Sequence, residues 1–178
     1  MGGDDRLRLF LALRLPGDAL DEIEQWQRSE LRGVRILPRD HLHVTLAFLG
    51  HRPAEELDSI AGALHDAAAR AGEIRLTPVR YRETRSVGML VLDDAGGHAT
   101  ALANDVQARL EGLGVYERER RPWLPHLTVA RWRERPQLRP ASPPGRTFVP
   151  SDAAAYVSRL HAAGARYAVL KSVALGGE

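Results

Sequence analysis

The 178-residue chain contains no cysteine. This absence excludes a disulfide framework, a thiolate metal site and a cysteine nucleophile, and it suits a reducing compartment, so we expect a cytoplasmic protein. No apolar run approaches the roughly 20 residues that cross a bilayer. The N-terminal segment MGGDDRLRLF also lacks the apolar stretch of a signal peptide. We therefore expect no association with membranes.

Lysine is almost absent as well, since Lys171 is the one lysine among 25 basic residues. Arginine favours bidentate contacts with phosphate, although a genome rich in arginine codons is the simpler explanation. The net charge is +2, and the hydrophobic and charged fractions, 44% and 27%, are ordinary for a globular protein. The length allows one compact domain, or two small lobes that share a core.

Hydrophobic periodicity predicts a chain in which strands and helices are interspersed. Helices are expected to begin with an Asp18 cap, near Pro53 and near residue 98. A proline-rich loop without periodicity covers residues 135–150. The predicted strands cover residues 7–16, 41–49, 73–81, 86–93 and 126–132, with two more joined around residues 163–164.

One order of elements occurs twice. A strand, a helix and a strand containing His-x-Thr are found early, with His43 and Thr45, and again late, with His126 and Thr128. The two histidines are 83 positions apart. We interpret this as a degenerate internal duplication. Two similar lobes that face one another would bring both His-x-Thr strands to one cleft.

Side chains alternate across a strand, so each histidine shares a face with its threonine. The opposite faces, expected to pack under helices, carry Val44, Leu46 and Phe48 in the first strand and Leu127 and Val129 in the second. His41 has the same parity as His43 but no threonine two residues later, and we expect it to be an exposed strand-start residue.

Two imidazoles and two hydroxyls can cleave a phosphodiester without a metal. A neutral histidine accepts a proton from water, a charged one donates a proton to the leaving oxygen, and the threonines donate to non-bridging oxygens. Metal binding is the alternative use of paired histidines. Neither strand contains a carboxylate, since Asp40 precedes the first and Glu134 follows the second. We expect no metal site.

The segments HLHVTLAFLG and PHLTVARW resemble the two His-x-Thr signatures of the two-histidine (2H) phosphoesterase superfamily. The closer resemblance is to its RNA 2′,3′-cyclic phosphodiesterase branch, also called 2′-5′ RNA ligase-like. RLFLALRLP and RYAVLKSVAL are similar to the opening and closing strands of that family. The resemblance thus covers nearly the whole chain.

This resemblance implies an α+β fold, with two pseudo-symmetric lobes of antiparallel sheet and outer helices around a central cleft, in a single bilobal domain over residues 1–178. It implies that His43, Thr45, His126 and Thr128 form the catalytic site, with His43 as proton donor and His126 as base. The residues by themselves leave those two roles open. Arg131, five positions after the second histidine, corresponds to the basic phosphate-binding residue of the family. Simple alternation places it on the face opposite His126, from which it reaches the phosphate only where the strand twists or ends.

The function implied is metal-independent hydrolysis of an RNA-terminal 2′,3′-cyclic phosphate to a 2′-phosphate, by a monomer without a cofactor. Small cyclic nucleotides and 2′-5′-linked oligonucleotides are alternative substrates. A non-catalytic RNA-binding module is the alternative of a different class, although all four polar residues of the paired motifs are present.

Overall fold

The computed structural model describes residues 5–176, which form eight strands and three α-helices. Residues 1–4, part of the segment in which no signal peptide is expected, and residues 177–178 lie outside the described part. The strands are β1 (Arg6–Arg14), β2 (Arg35–Ile36), β3 (His43–Pro53), β4 (Leu76–Glu83), β5 (Val87–Asp94), β6 (His126–Arg131), β7 (Asp152–His161) and β8 (Gly164–Val173). The helices are α1 (Gly17–Glu30), α2 (Leu57–Arg70) and α3 (His98–Gly112).

The strands form two antiparallel four-stranded sheets, ordered β3-β1-β7-β8 and β2-β6-β5-β4. The predicted α+β class with two antiparallel sheets is confirmed. The duplication is visible in the pairing, because β3 pairs with β1 as β6 pairs with β5. The two-residue strand β2 was not predicted, since two residues carry no periodicity.

Each sheet is packed against a helix from the other half of the sequence. Helix α1 comes from the first half, yet its Trp26 ring lies 5.9 Å from Tyr81 of β4, in the second sheet. Helix α3 comes from the second half, yet its Gln107 hydrogen-bonds to Leu46 of β3, in the first sheet. Apolar side chains from both sheets and all three helices form one continuous core. The two His-x-Thr strands are therefore supported by helices from opposite halves of the sequence.

The start of α1 corrects the predicted cap. Pro16 occupies the N-cap position, and Asp18 lies within the first turn, where its carboxylate accepts a hydrogen bond from the amide of Ala19 at 2.9 Å. Proline is suited to this boundary because it has no amide hydrogen to satisfy. The carboxylate still faces the positive end of the helix dipole.

Candidate active site

The first histidine is held by a backbone carbonyl and by its own threonine. Nδ1 of His43 lies 2.8 Å from the carbonyl oxygen of His41, and Nε2 lies 3.0 Å from Oγ1 of Thr45. A carbonyl only accepts, so Nδ1 carries the hydrogen. In the neutral ring Nε2 is then the acceptor, and the Thr45 hydroxyl donates to it. The lone pair that can take up a proton is thereby placed on Nε2.

His126 makes the same backbone contact as His43. Nδ1 of His126 lies 2.8 Å from the carbonyl oxygen of Leu124, again two residues earlier in the chain. Nδ1 is the donor for the same reason, so Nε2 of His126 is the nitrogen left for proton transfer. The hydroxyl of Thr128 forms no hydrogen bond with any residue in 5–176. The two halves thus differ in that one histidine is engaged by its threonine and the other is not.

His43 is neutral at pH 7 in the ligand-free protein. Burial lowers its pKa to about 4, because the protonated ring would lose its hydration. The hydrogen bond to the backbone of His41 raises the pKa and offsets part of that effect. Electrostatic repulsion from the neighbouring His41, His126 and Arg131 lowers it further. His43, His126 and Arg131 are therefore close enough to influence one another.

This depressed pKa predicts a loss of stability in mild acid. Between pH 6.5 and about 4 the unfolded chain protonates His43 while the folded chain does not, so the free energy of unfolding falls as the pH falls through that range. The full difference is worth about 3 kcal/mol, since each pKa unit corresponds to about 1.4 kcal/mol. Denaturant unfolding between pH 5 and 7 should show a smaller pH dependence in His43→Gln. If the free energy of unfolding depends on pH equally in both proteins, the lowered pKa of His43 is contradicted. The pKa of His41, which is also lowered, contributes in the same direction in both proteins.

A β-bulge brings Arg131 to the face of the histidines. In the pairing of β6 with β5, Thr128 lies opposite Met89 and Ala130 opposite Gly88, so Val129 has no partner. Val129 and Ala130 are consecutive and both fully buried, and alternation resumes one residue out of phase. The expectation that alternation places Arg131 on the opposite face was therefore wrong, and the cause is the bulge.

The same bulge occurs at the same place in β3. Leu46 has no partner, because Thr45 pairs with Ala12 and Ala47 with Leu11. Leu46 and Ala47 are both buried, whereas Phe48 is 48% exposed. The expectation that Phe48 packs under a helix was thus wrong for the same reason. Phe48 and Arg131 occupy equivalent positions, five residues after their histidines.

Two buried glutamines hold these bulges, and both lie outside the His-x-Thr motifs. Nε2 of Gln107 donates to the carbonyl oxygen of Leu46 at 2.9 Å, and Nε2 of Gln27 donates to that of Val129 at 2.9 Å and to that of Leu37 at 3.2 Å. Each bulged carbonyl thus accepts from a helix of the other half of the chain, and that of Val129 also accepts from the backbone amide of Leu37 at 3.0 Å. The available signal was a glutamine on the apolar face of each helix, at positions 80 residues apart.

Trp123 connects the segment just before β6 to strand β3. Its indole Nε1 donates to the backbone carbonyl of Thr45 at 3.0 Å, and Trp123 lies three residues before His126. The separation of the two motifs is therefore constrained by a side chain of the chain itself.

Aromatic rings surround His43 on the first sheet. The Phe10 ring lies 4.8 Å from His43 and stacks on Tyr156 at 4.8 Å, while Tyr167 approaches Phe10 edge-on at 5.0 Å. His41 stacks on Tyr167 at 4.2 Å and ends a short 3₁₀ turn. The expectation of an exposed strand-start His41 was therefore wrong, because the ring is partly covered by its stacking partner.

Within the described ranges, no cluster of three or more histidine, aspartate or glutamate side chains is arranged to hold a metal ion. No helix formed by the same residues has the length and hydropathy of a membrane span. A cavity of about 310 Å³ lies away from the paired motifs, between the start of α1 and residues 144–149. None of the five predicted site residues lines it.

Comparison with known proteins places this geometry in a family. The sequence model of the 2′-5′ RNA ligase superfamily matches residues 15–162. The RNA 2′,3′-cyclic phosphodiesterase of Thermus thermophilus is 31% identical over 97% of this chain and 92% of its own length. The protein of the same name from Escherichia coli is 28% identical over 94% and 96%. The crystal structure of TT0787 of Thermus thermophilus superposes with a TM-score of 0.83 at 29% identity, covering 97% of this chain and all of that one.

Proposed function

Because the chain belongs to the 2′-5′ RNA ligase superfamily, we propose that it hydrolyses RNA-terminal 2′,3′-cyclic phosphates to 2′-phosphates by two-histidine acid–base catalysis without a metal. The relatives named RNA 2′,3′-cyclic phosphodiesterase support the reaction class. One observation carries the mechanism. Each histidine is anchored through Nδ1 to a carbonyl two residues earlier, which leaves two Nε2 atoms for proton transfer.

In the proposed reaction, water attacks phosphorus in line with the 3′ ester oxygen. The base histidine takes a proton from that water, the bond between phosphorus and the 3′ oxygen breaks, and the acid histidine protonates the departing oxygen. The products are a 2′-phosphate and a 3′-hydroxyl. Thr45, Thr128 and Arg131 donate hydrogen bonds to the non-bridging oxygens, where negative charge accumulates.

The electrostatics of the site support His43 as the acid once substrate is bound. His43 is neutral without ligand mainly because it is buried, and the neighbouring His41, His126 and Arg131 add a smaller electrostatic effect. A phosphate anion near these groups opposes their effect and raises the pKa of His43. His126 is then the base. Substrate binding itself thereby prepares the proton donor.

We also propose that both sheets act as one bilobal unit over residues 1–178. Hydrogen bonds from Gln27, Gln107 and Trp123 connect the two halves of the sequence next to the motifs. A binding site divided between two sheets needs such links, since misplacement by about 1 Å is enough to lower a rate 100-fold.

The proposal predicts a single product. A short RNA with a 2′,3′-cyclic phosphate end, incubated with the protein in excess chelator, should yield the 2′-phosphate alone, as resolved by phosphorus NMR. A 3′-phosphate product would retain the two histidines but reverse the orientation of the nucleoside. Loss of turnover on chelation, with recovery on adding zinc or manganese, would contradict the metal-free mechanism. Tight RNA binding without turnover would favour the binding module.

A further inference from the structure

A second arginine faces Arg131 across the strand pair. In the pairing of β2 with β6, Arg35 is the direct partner of Arg131. Residues directly opposite in an antiparallel pair project to the same face of the sheet. Because the bulge turns Arg131 to the face of His126, Arg35 shares that face.

This arrangement costs stability unless an anion is bound. Like charges directly opposite one another on a sheet repel. No ion pair to Arg35 or Arg131 is formed by any residue in 5–176, whereas Arg14 on the first sheet pairs with Asp152. Asp40 is the one carboxylate whose charge acts on the neighbouring His41. Two unpaired arginines side by side in an active-site cleft are typical of a phosphate-binding surface.

The two arginines lie at different distances from the reaction centre. The charge of Arg131 acts on both His43 and His41, whereas that of Arg35 acts on His41. The Arg35 guanidinium extends towards the first sheet, where its Nη2 lies 2.8 Å from the position that a Cβ on Gly164 would occupy. Arg35 is therefore displaced from Arg131 towards the turn that joins β7 and β8.

We propose that Arg35 binds the phosphate that precedes the cyclic end of an RNA strand, while Arg131 binds the cyclic phosphate itself. The inference rests on the proposed function, because it assigns the two arginines to two consecutive phosphates of one substrate. A cyclic mononucleotide has no second phosphate and makes no contact with Arg35. The pair thus distinguishes an oligonucleotide end from a free cyclic nucleotide.

The test compares two substrates, 2′,3′-cyclic AMP and a five-nucleotide RNA with a 2′,3′-cyclic end. Arg35→Gln should lower kcat/KM for the RNA about tenfold, the effect of losing a charge-assisted contact, and leave that for the mononucleotide unchanged. The slope of log(kcat/KM) against log[salt] for the RNA should become shallower by about 0.7, the value for one phosphate of a single strand. Arg35→Lys should keep the slope and recover part of the rate.

Arg80→Gln is the matched control, because Arg80 is exposed on β4, at the opposite edge of the same sheet. Arg80→Gln should leave kcat/KM unchanged for both substrates. Equal losses on both substrates, or no loss on the RNA, would overturn the role of Arg35. The thermal midpoint of Arg35→Gln should stay level or rise at low salt, and a marked fall would instead assign Arg35 to contact with the turn at Gly164.

The hydrolase proposal and the Arg35 proposal can be refuted independently of each other. Wild-type protein that turns over neither substrate would refute the hydrolase. Fluorescence anisotropy with the same RNA ended by a 2′-phosphate would still test Arg35, since binding needs no turnover. A shallower salt slope of binding in Arg35→Gln supports the second-phosphate contact, and an unchanged slope overturns it.

Discussion

Replacing either His43 or His126 by alanine is expected to lower kcat by about 10²- to 10⁴-fold, because each substitution removes one proton-transfer group. The two groups act in one displacement, so the double variant should be little worse than the worse single variant. Steady-state turnover of a cyclic-ended RNA measures both effects. Loss in the double variant equal to the product of the single losses would argue against that coupled use.

His51→Ala is the matched control, because His51 is exposed and lies in the same strand as His43. It should retain wild-type turnover. His43→Gln separates chemistry from folding, since glutamine keeps a polar group in the partly buried site. Full activity in either alanine variant would refute the two-histidine mechanism.

The strand faces and the two related halves of the fold could be predicted from the local sequence pattern. The faces of His43 with Thr45 and of His126 with Thr128 were predicted from alternation, and the recurrence of the pair indicated two related halves. Those inferences need only short-range geometry, because a period of two fixes the neighbours of each side chain. The duplicated pairing of β3 with β1 and of β6 with β5 confirms them.

The positions beyond each threonine could not be predicted in this way. LAF after Thr45 and VAR after Thr128 are each compatible with a regular strand. A bulge is decided by the partner strand and by the groups that satisfy its free carbonyl, both distant in sequence. Phe48 and Arg131 were therefore assigned to the wrong face, and Arg35 was not identified because its significance depends on pairing with Arg131.

The glutamines connect these bulges to the core. Gln27 and Gln107 are 1% and 7% exposed, and a buried amide is costly unless it is hydrogen-bonded. Each amide donates to the carbonyl of the residue that lies three positions after a site histidine. The amides therefore fix the bulges that orient the site, which makes Gln27 and Gln107 positioning residues rather than catalytic ones.

Gln107→Met is expected to lower kcat up to about 100-fold, because a shift of about 1 Å in a reacting group has an effect of that size. Methionine approximates the shape of glutamine but cannot donate, so the carbonyl of Leu46 is left unsatisfied at a cost of about 1–3 kcal/mol in folding free energy. Gln27→Met should have a smaller effect, because the carbonyl of Val129 still accepts from the backbone amide of Leu37 at 3.0 Å. Turnover at 10 °C, where both variants remain folded, measures the rate, and denaturant unfolding measures the stability.

Histidine NMR signals distinguish a positioning role of the glutamines from a purely structural one, because each glutamine contacts the strand of the other half. Gln107→Met should displace the imidazole NMR signals of His43 more than those of His126, and Gln27→Met should do the reverse, although each glutamine belongs to the other half of the sequence. Gln25→Met, an exposed substitution in the same helix as Gln27, should change neither signals nor rate. A variant that loses stability while kcat and both sets of signals stay at wild-type values would show that the bulges keep their shape without the amides, and the positioning role would be lost.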